Sequence, residues 1–168
     1  MRYKNLTNER KEYIDNITEK LRCDYSSNSQ INFQELAKDH DIALLKTNKI
    51  VAEVAVRKNG KDYVFIGNHL IPYIEEFETA HGIGHRILKH SCAVPIKIKE
   101  DEANYFAEKL AGINKNKKKY VASSIFNAFY DILMHPLKSS KYAMHLVKKD
   151  IEKIIDELEA NKINGGRK

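Results

Sequence analysis

The sequence predicts an α+β domain, because a stretch with period-two apolar patterning and a hairpin turn lies between segments whose apolar residues recur at helical spacing. Ile50, Ala52, Val54 and Val56 alternate with Val51, Glu53, Ala55 and Arg57, as in a half-buried strand. Asn59-Gly60 follows, the pair favoured where both central residues of a tight turn need positive φ. The 168 residues suit one domain, about 1–163, ahead of a short tail over 164–168. The expected architecture is a short, mainly antiparallel sheet of about three strands packed with roughly five to six helices.

Along the chain, Tyr13, Ile14, Ile17 and Leu21 predict an amphipathic helix over about 8–21. Residues 23–30 are polar and rich in serine and asparagine, which reads as a loop. Asn32, with Glu35 three residues on, forms the signature of a capping box for a short helix to about Asp39. The segment from Phe33 to Ile42 also resembles the start of a helix-turn-helix. That motif needs a second helix at once, whereas Ile42-Ala43-Leu44-Leu45 reads as a strand, so direct nucleic-acid binding is not expected. Asp62 to Ile66 supplies the return strand of the hairpin.

Pro72 opens the next helix, where its missing N–H costs nothing. Ile74, Phe77, His81, His85 and Leu88 form its interior stripe, with Glu75, Thr79, Arg86 and Lys89 opposite. A further helix is expected from Glu100-Asp101, with the stripe Glu102, Phe106, Leu110 and Ile113. Glu102 therefore stands on a face that should be apolar, and a buried carboxylate needs a partner. C-terminal helices are expected over 117–163, patterned by Val121, Ile125, Phe129 and Ile132, then by Leu146, Val147, Ile151, Ile154, Ile155 and Leu158.

Composition narrows the function classes. Apolar content of 42% and charged content of 31% fit a globular chain, and no apolar run is long enough for a membrane span. Residues 1–5 lack the apolar core of a signal peptide, so a cytoplasmic protein without a membrane partner is expected. The net charge of +6 is concentrated in Lys115, Lys117, Lys118 and Lys119 and in Arg167-Lys168, which read as a solvated loop and tail. Cys23 and Cys92 have no CxxC spacing and read as buried or incidental thiols.

The chemistry is concentrated at 76–88. Histidines at i and i+4 share one helix face, so His81 and His85 can converge on one zinc ion. The peptidase form of the pattern is HExxH, whose glutamate is the general base; here that position is Gly82. Losing a general base removes typically 10² to 10⁴ in rate. A glycine inside a helix also costs about 1 kcal/mol, and the sequence offers no structural reason for it. Gly82 therefore reads as lost chemistry, natural or introduced. Glu78 is a candidate surrogate, but it lies about 6 Å back along the helix axis, and a partly exposed helix acid is the simpler reading. His90 reads as a local cap or hydrogen-bonding group, and His40, His69, His135 and His145 have no patterned partners. Tyr63 and Tyr105 fit core or rim packing as well as a cleft.

The capped helix at 32–39, the Asn59-Gly60 hairpin, Phe77-Glu78-Thr79-Ala80-His81-Gly82-Ile83-Gly84-His85 and Glu102-Ala103-Asn104-Tyr105-Phe106-Ala107 together resemble the ImmA/IrrE family of zinc metallopeptidases over about 30–111. The resemblance implies a small zincin-like fold and zinc held by His81, His85 and Glu102. It also implies a protein that cuts or controls a helix-turn-helix repressor of a mobile element, prophage or stress response. The chain departs from the family pattern at Gly82, at Glu78, where a small polar residue is common, and at Ala111-Gly112, where Met-Pro is frequent. Three readings stay open: a degenerate zincin that binds a partner, a working peptidase with a surrogate base or a native glutamate at position 82, and a metal-free interaction module.

Overall fold

In the computed structural model, residues 3–28, 30–48, 50, 53–91, 93–112 and 152–156 are described. The chain divides into two compact units, Met1–Lys118 and Lys119–Lys168. In the second, residues 152–156 are helical and Ile155 is buried; the other C-terminal patterning lies outside the described residues. The first unit is α+β. Its elements run α1 (Asn8–Tyr25), β1 (Ser26–Ser27), β2 (Gln30–Ile31), α2 (Phe33–Asp39), β3 (Ile42–Thr47), β4 (Glu53–Lys58), β5 (Lys61–Gly67), α3 (Pro72–Ile87) and α4 (Ile96–Leu110).

The main sheet has the order β3-β5-β4, with β4 antiparallel and β3 parallel to the central β5. The hairpin joining β4 and β5 turns at Asn59 (φ 52°) and Gly60 (φ 78°), the positive pair its sequence predicts. Burial follows position in the sheet. Tyr63, Val64, Phe65 and Ile66 of the central strand are all buried, which explains a continuous apolar run in place of alternation. The parallel β3–β5 pairing adds a crossover that hairpin reasoning does not supply.

Thr7 caps α1 by accepting a hydrogen bond from the Arg10 amide at 3.1 Å. This helix continues to Tyr25, and β1 and β2 form a minimal antiparallel pair where the polar composition predicts a loop. Its buried face is Ile14, Thr18 and Leu21, while Tyr13 of the expected stripe is exposed beneath the Arg10 guanidinium. The Thr18 hydroxyl donates to the Ile14 carbonyl, so a polar side chain sits in the core with its bond satisfied. Cys23 is exposed rather than buried, and Cys92 lies outside the described residues.

The N-cap of α2 forms as expected, with Asn32 Oδ1 accepting from the Glu35 amide at 3.2 Å, but the reciprocal half of the box does not, because the Asn32 backbone N–H donates to the Tyr25 carbonyl. The helix runs into β3, so a strand follows the turn that resembled a helix-turn-helix.

Pro72 starts α3, which packs against β4, β5 and α4. Contact on more than one side buries Thr79 together with Ala80, His81, Gly82, Ile83 and Gly84, although Thr79 falls on the polar side of the sequence stripe. Gly84 allows the close approach of α4, because a Cβ there would stand 2.8 Å from Phe106 Cδ1. Among the described residues, no helix is long and apolar enough to cross a membrane.

Candidate metal centre

His81 and His85 face the same side of α3, with their Nε2 atoms 2.9 Å apart. The third member comes from α4. That helix begins at Ile96, four residues before the start predicted at Glu100, so Glu100 lies within it and turns toward the histidine pair. Glu100 Oε2 is 3.4 Å from His81 Nε2, and its Oε1 is 3.6 Å from His85 Nε2. Ligand atoms of His81, His85 and Glu100 all lie within 4.8 Å of one another.

Glu102, the carboxylate implied by the family resemblance, is placed differently. It is buried as the stripe predicts, but Arg10 Nε and Nη2 donate to its two oxygens at 2.8 Å each. His90 Nε2 lies 2.8 Å from the same Oε2. The partner that a buried carboxylate requires is thus an arginine on α1, which no local pattern near Glu102 could reveal. The structure therefore brings His81 and His85 together with Glu100, and joins Glu102 to them only through His90.

His90 is the connecting residue. Lys89, at φ 53°, takes the left-handed conformation just past the end of α3 and turns the chain back. This puts His90 Nδ1 2.7 Å from His85 Nδ1. A continuous path runs from His85 through His90 and Glu102 to Arg10. Such chains fix the ring orientation and tautomer of a ligating histidine.

The electrostatics suit a cation. Burial, helped by neighbouring His81, holds His85 down at about 3, so its imidazole is neutral. The hydrogen bond with His81 outweighs burial and holds the Glu100 carboxyl below its ordinary range. Metal ligands must be deprotonated, and both groups meet that condition. For His81, burial favours the neutral ring, but Glu100, Glu53 and Glu78 together prevail and raise its pKa. Two imidazoles and a carboxylate are a donor set that zinc accepts.

Two more acids approach this face. Glu53, the first residue of β4, is half-buried as a residue but has its side chain largely covered beside His81, with Oε2 3.9 Å from His81 Nε2; burial drives its pKa up to about 7. Sequence patterning had placed it among the alternate positions of a strand, with no sign that it would turn inward. Glu78 is half-buried, and burial also raises its pKa.

Gly82 has a structural reason that the sequence did not reveal. A Cβ there would lie 2.6 Å from Val64 Cγ1 and 2.8 Å from Glu53 Oε1, closer than real Cβ contacts allow. Tyr63 is buried beside Phe65 in the sheet, and the Tyr105 hydroxyl donates to Asp15 at 3.1 Å, consistent with packing roles. Comparisons of the chain with protein-family models, curated proteins and solved structures find no match.

Proposed function

We propose that this chain is a zinc metallopeptidase-like protein of the ImmA/IrrE type that acts on or binds a helix-turn-helix transcriptional repressor in the cytoplasm. The observation that carries the metal part is the convergence of His81, His85 and Glu100, with a neutral His85 and an ionised Glu100. The partner rests on the family resemblance of the 77–85 and 102–107 motifs.

His81, His85 and Glu100 would hold the ion, which when bound supplies Lewis acidity toward a peptide carbonyl. Arg10, Glu102 and His90 keep the His85 ring in place. The usual HExxH base is missing at Gly82, so binding or slow cleavage of the partner is the activity these motifs support.

Metal analysis of the purified protein is expected to find one equivalent of zinc, lost in His81→Ala and His85→Ala. Less than a tenth of an equivalent, with no gain on adding zinc, would leave a metal-free interaction module. Mixing the zinc-loaded protein with the repressor encoded beside its gene is expected to give a complex. Neither complex nor cleavage would remove the repressor from the reading.

A further inference from the structure

Gly82 lies inside α3, yet the space beside its Cα is filled. Val64 Cγ1 from β5 and the Glu53 side chain from β4 stand where its Cβ would go, with Glu53 Cγ at 3.0 Å and Oε1 at 2.8 Å. The Glu53 side chain is only 10% exposed. One of its oxygens is 3.9 Å from His81 Nε2; the other, Oε1, is buried without a hydrogen-bond partner. A buried carboxylate oxygen without a donor is costly, and the carboxylate that carries it has its other oxygen beside His81.

Its placement separates two roles. Glu53 lies outside the group whose ligand atoms all come within 4.8 Å of one another, which holds His81, His85 and Glu100. It is therefore adjacent to the ligand set rather than part of it. A general base needs that relation: close enough to take a proton from a water at the site, without occupying a coordination position. The residue that follows the first histidine of HExxH reaches there from the helix. Here β4, which packs against α3, carries a carboxylate next to His81 and position 82 instead.

We propose that Glu53 is the general base of this site, and that position 82 is glycine because the Val64 and Glu53 side chains together fill the space a larger residue there would need. This rests on the zinc reading above and extends it from binding to hydrolysis. Glu53 takes a proton from water as the water oxygen bonds to the peptide carbonyl carbon. The proton then passes to the peptide nitrogen as the C–N bond breaks, giving a new carboxyl terminus and a new amine and restoring the Glu53 carboxylate.

The test uses the full-length protein, a zinc measurement, a random-sequence decapeptide library read by mass spectrometry, and urea unfolding in the presence of a chelator. The zinc-loaded parent is expected to cleave the library, and Glu53→Gln to retain zinc while losing roughly 10²- to 10⁴-fold in rate. In chelator, Gly82→Glu is expected to lower the folding equilibrium constant. That loss should shrink severalfold in a Glu53→Ala background, where the Val64 contact is what remains against the new side chain.

Additive effects of Gly82→Glu and Glu53→Ala on stability, an unchanged rate in zinc-loaded Glu53→Gln, or no cleavage by the zinc-loaded parent would each overturn the Glu53 assignment and leave the metal site standing. A parent that takes up no zinc would overturn both.

Discussion

Arg10 grips Glu102 through two hydrogen bonds of 2.8 Å, Nε to Oε1 and Nη2 to Oε2, across 92 residues of sequence. The pair joins the first turn of α1 to the second turn of α4 and stands at the far end of the path leading to His85. The Glu102 side chain is 8% exposed and that of Arg10 33%, so the arginine is partly solvated and the carboxylate is not.

Removing the arginine should therefore cost more than an exposed ion pair is worth. Arg10→Ala leaves a buried carboxylate with His90 alone, at an expected cost of about 1–3 kcal/mol in urea unfolding. Loosening the support of His85 should weaken zinc binding about 10- to 100-fold. Arg10→Lys keeps the charge but lacks the planar fork, so both effects should fall between parent and alanine. Equal stability of parent and Arg10→Ala would remove this pair from the account of the fold.

The two ends of a loop or helix glycine's usefulness can be separated at Gly84 and Gly60. Helix propensity alone predicts a gain of about 1 kcal/mol for Gly84→Ala. The added methyl would press on Phe106, which is fully buried, and overpacking of this kind costs about 1–3 kcal/mol. A net loss is expected, read as a lower denaturation midpoint. Gly60→Ala meets nothing within 4 Å but must hold φ near +78°, and is expected to cost about 1–2 kcal/mol through the backbone alone. A raised midpoint for Gly84→Ala would show that α3 and α4 can separate without penalty.

The local chemistry of this fold was legible, and its long-range pairings were not. The Asn32 cap, Asn59-Gly60 and Pro72 each act within a few residues, and each does in the structure what its sequence signals. The histidine pair was legible for the same reason, since i and i+4 share a face by geometry alone. Glu100 was missed because it reads as the first residue of its helix, outside the interior stripe that begins at Glu102. Moving that start back to Ile96, just after Pro95, places it within the helix, where it turns toward the histidines. Arg10 and Glu53 carry no local signal at all. Both reach the site from distant segments, and Glu53 belongs to a strand whose alternation says which residues share a face but not what covers it.

The Asn32 cap of α2 gives a stability test independent of the metal centre. Asn32 accepts from the Glu35 amide at 3.2 Å and donates to Glu35 Oε2 at 3.0 Å. Asn32→Ala should cost about 0.5–2 kcal/mol, and Asn32→Ser, which keeps an acceptor for the amide without setting a second carboxylate against Glu35, should recover most of it. Identical denaturation midpoints for alanine and serine at this position would show that the cap contributes nothing.

Glu100 and Glu102 are two residues apart on α4, and zinc binding tells their roles apart. Zinc at a free concentration of 100 times its Kd is expected to stabilise the fold by about 2.7 kcal/mol, seen as a rise in Tm that chelator reverses. A ligand and a supporting residue should differ in kind. Glu100→Gln removes the carboxylate that faces both histidines, so the zinc-dependent rise in Tm should vanish while stability in chelator changes little, since that side chain is about half exposed. Glu102→Gln should lower stability in chelator by disturbing its bonds to Arg10 and His90, yet keep a zinc response with affinity reduced about 10- to 100-fold. The opposite order, with zinc lost in Glu102→Gln and kept in Glu100→Gln, would return the third coordination position to Glu102, as the family resemblance implies. It would also mean that metal binding draws Glu102 away from Arg10.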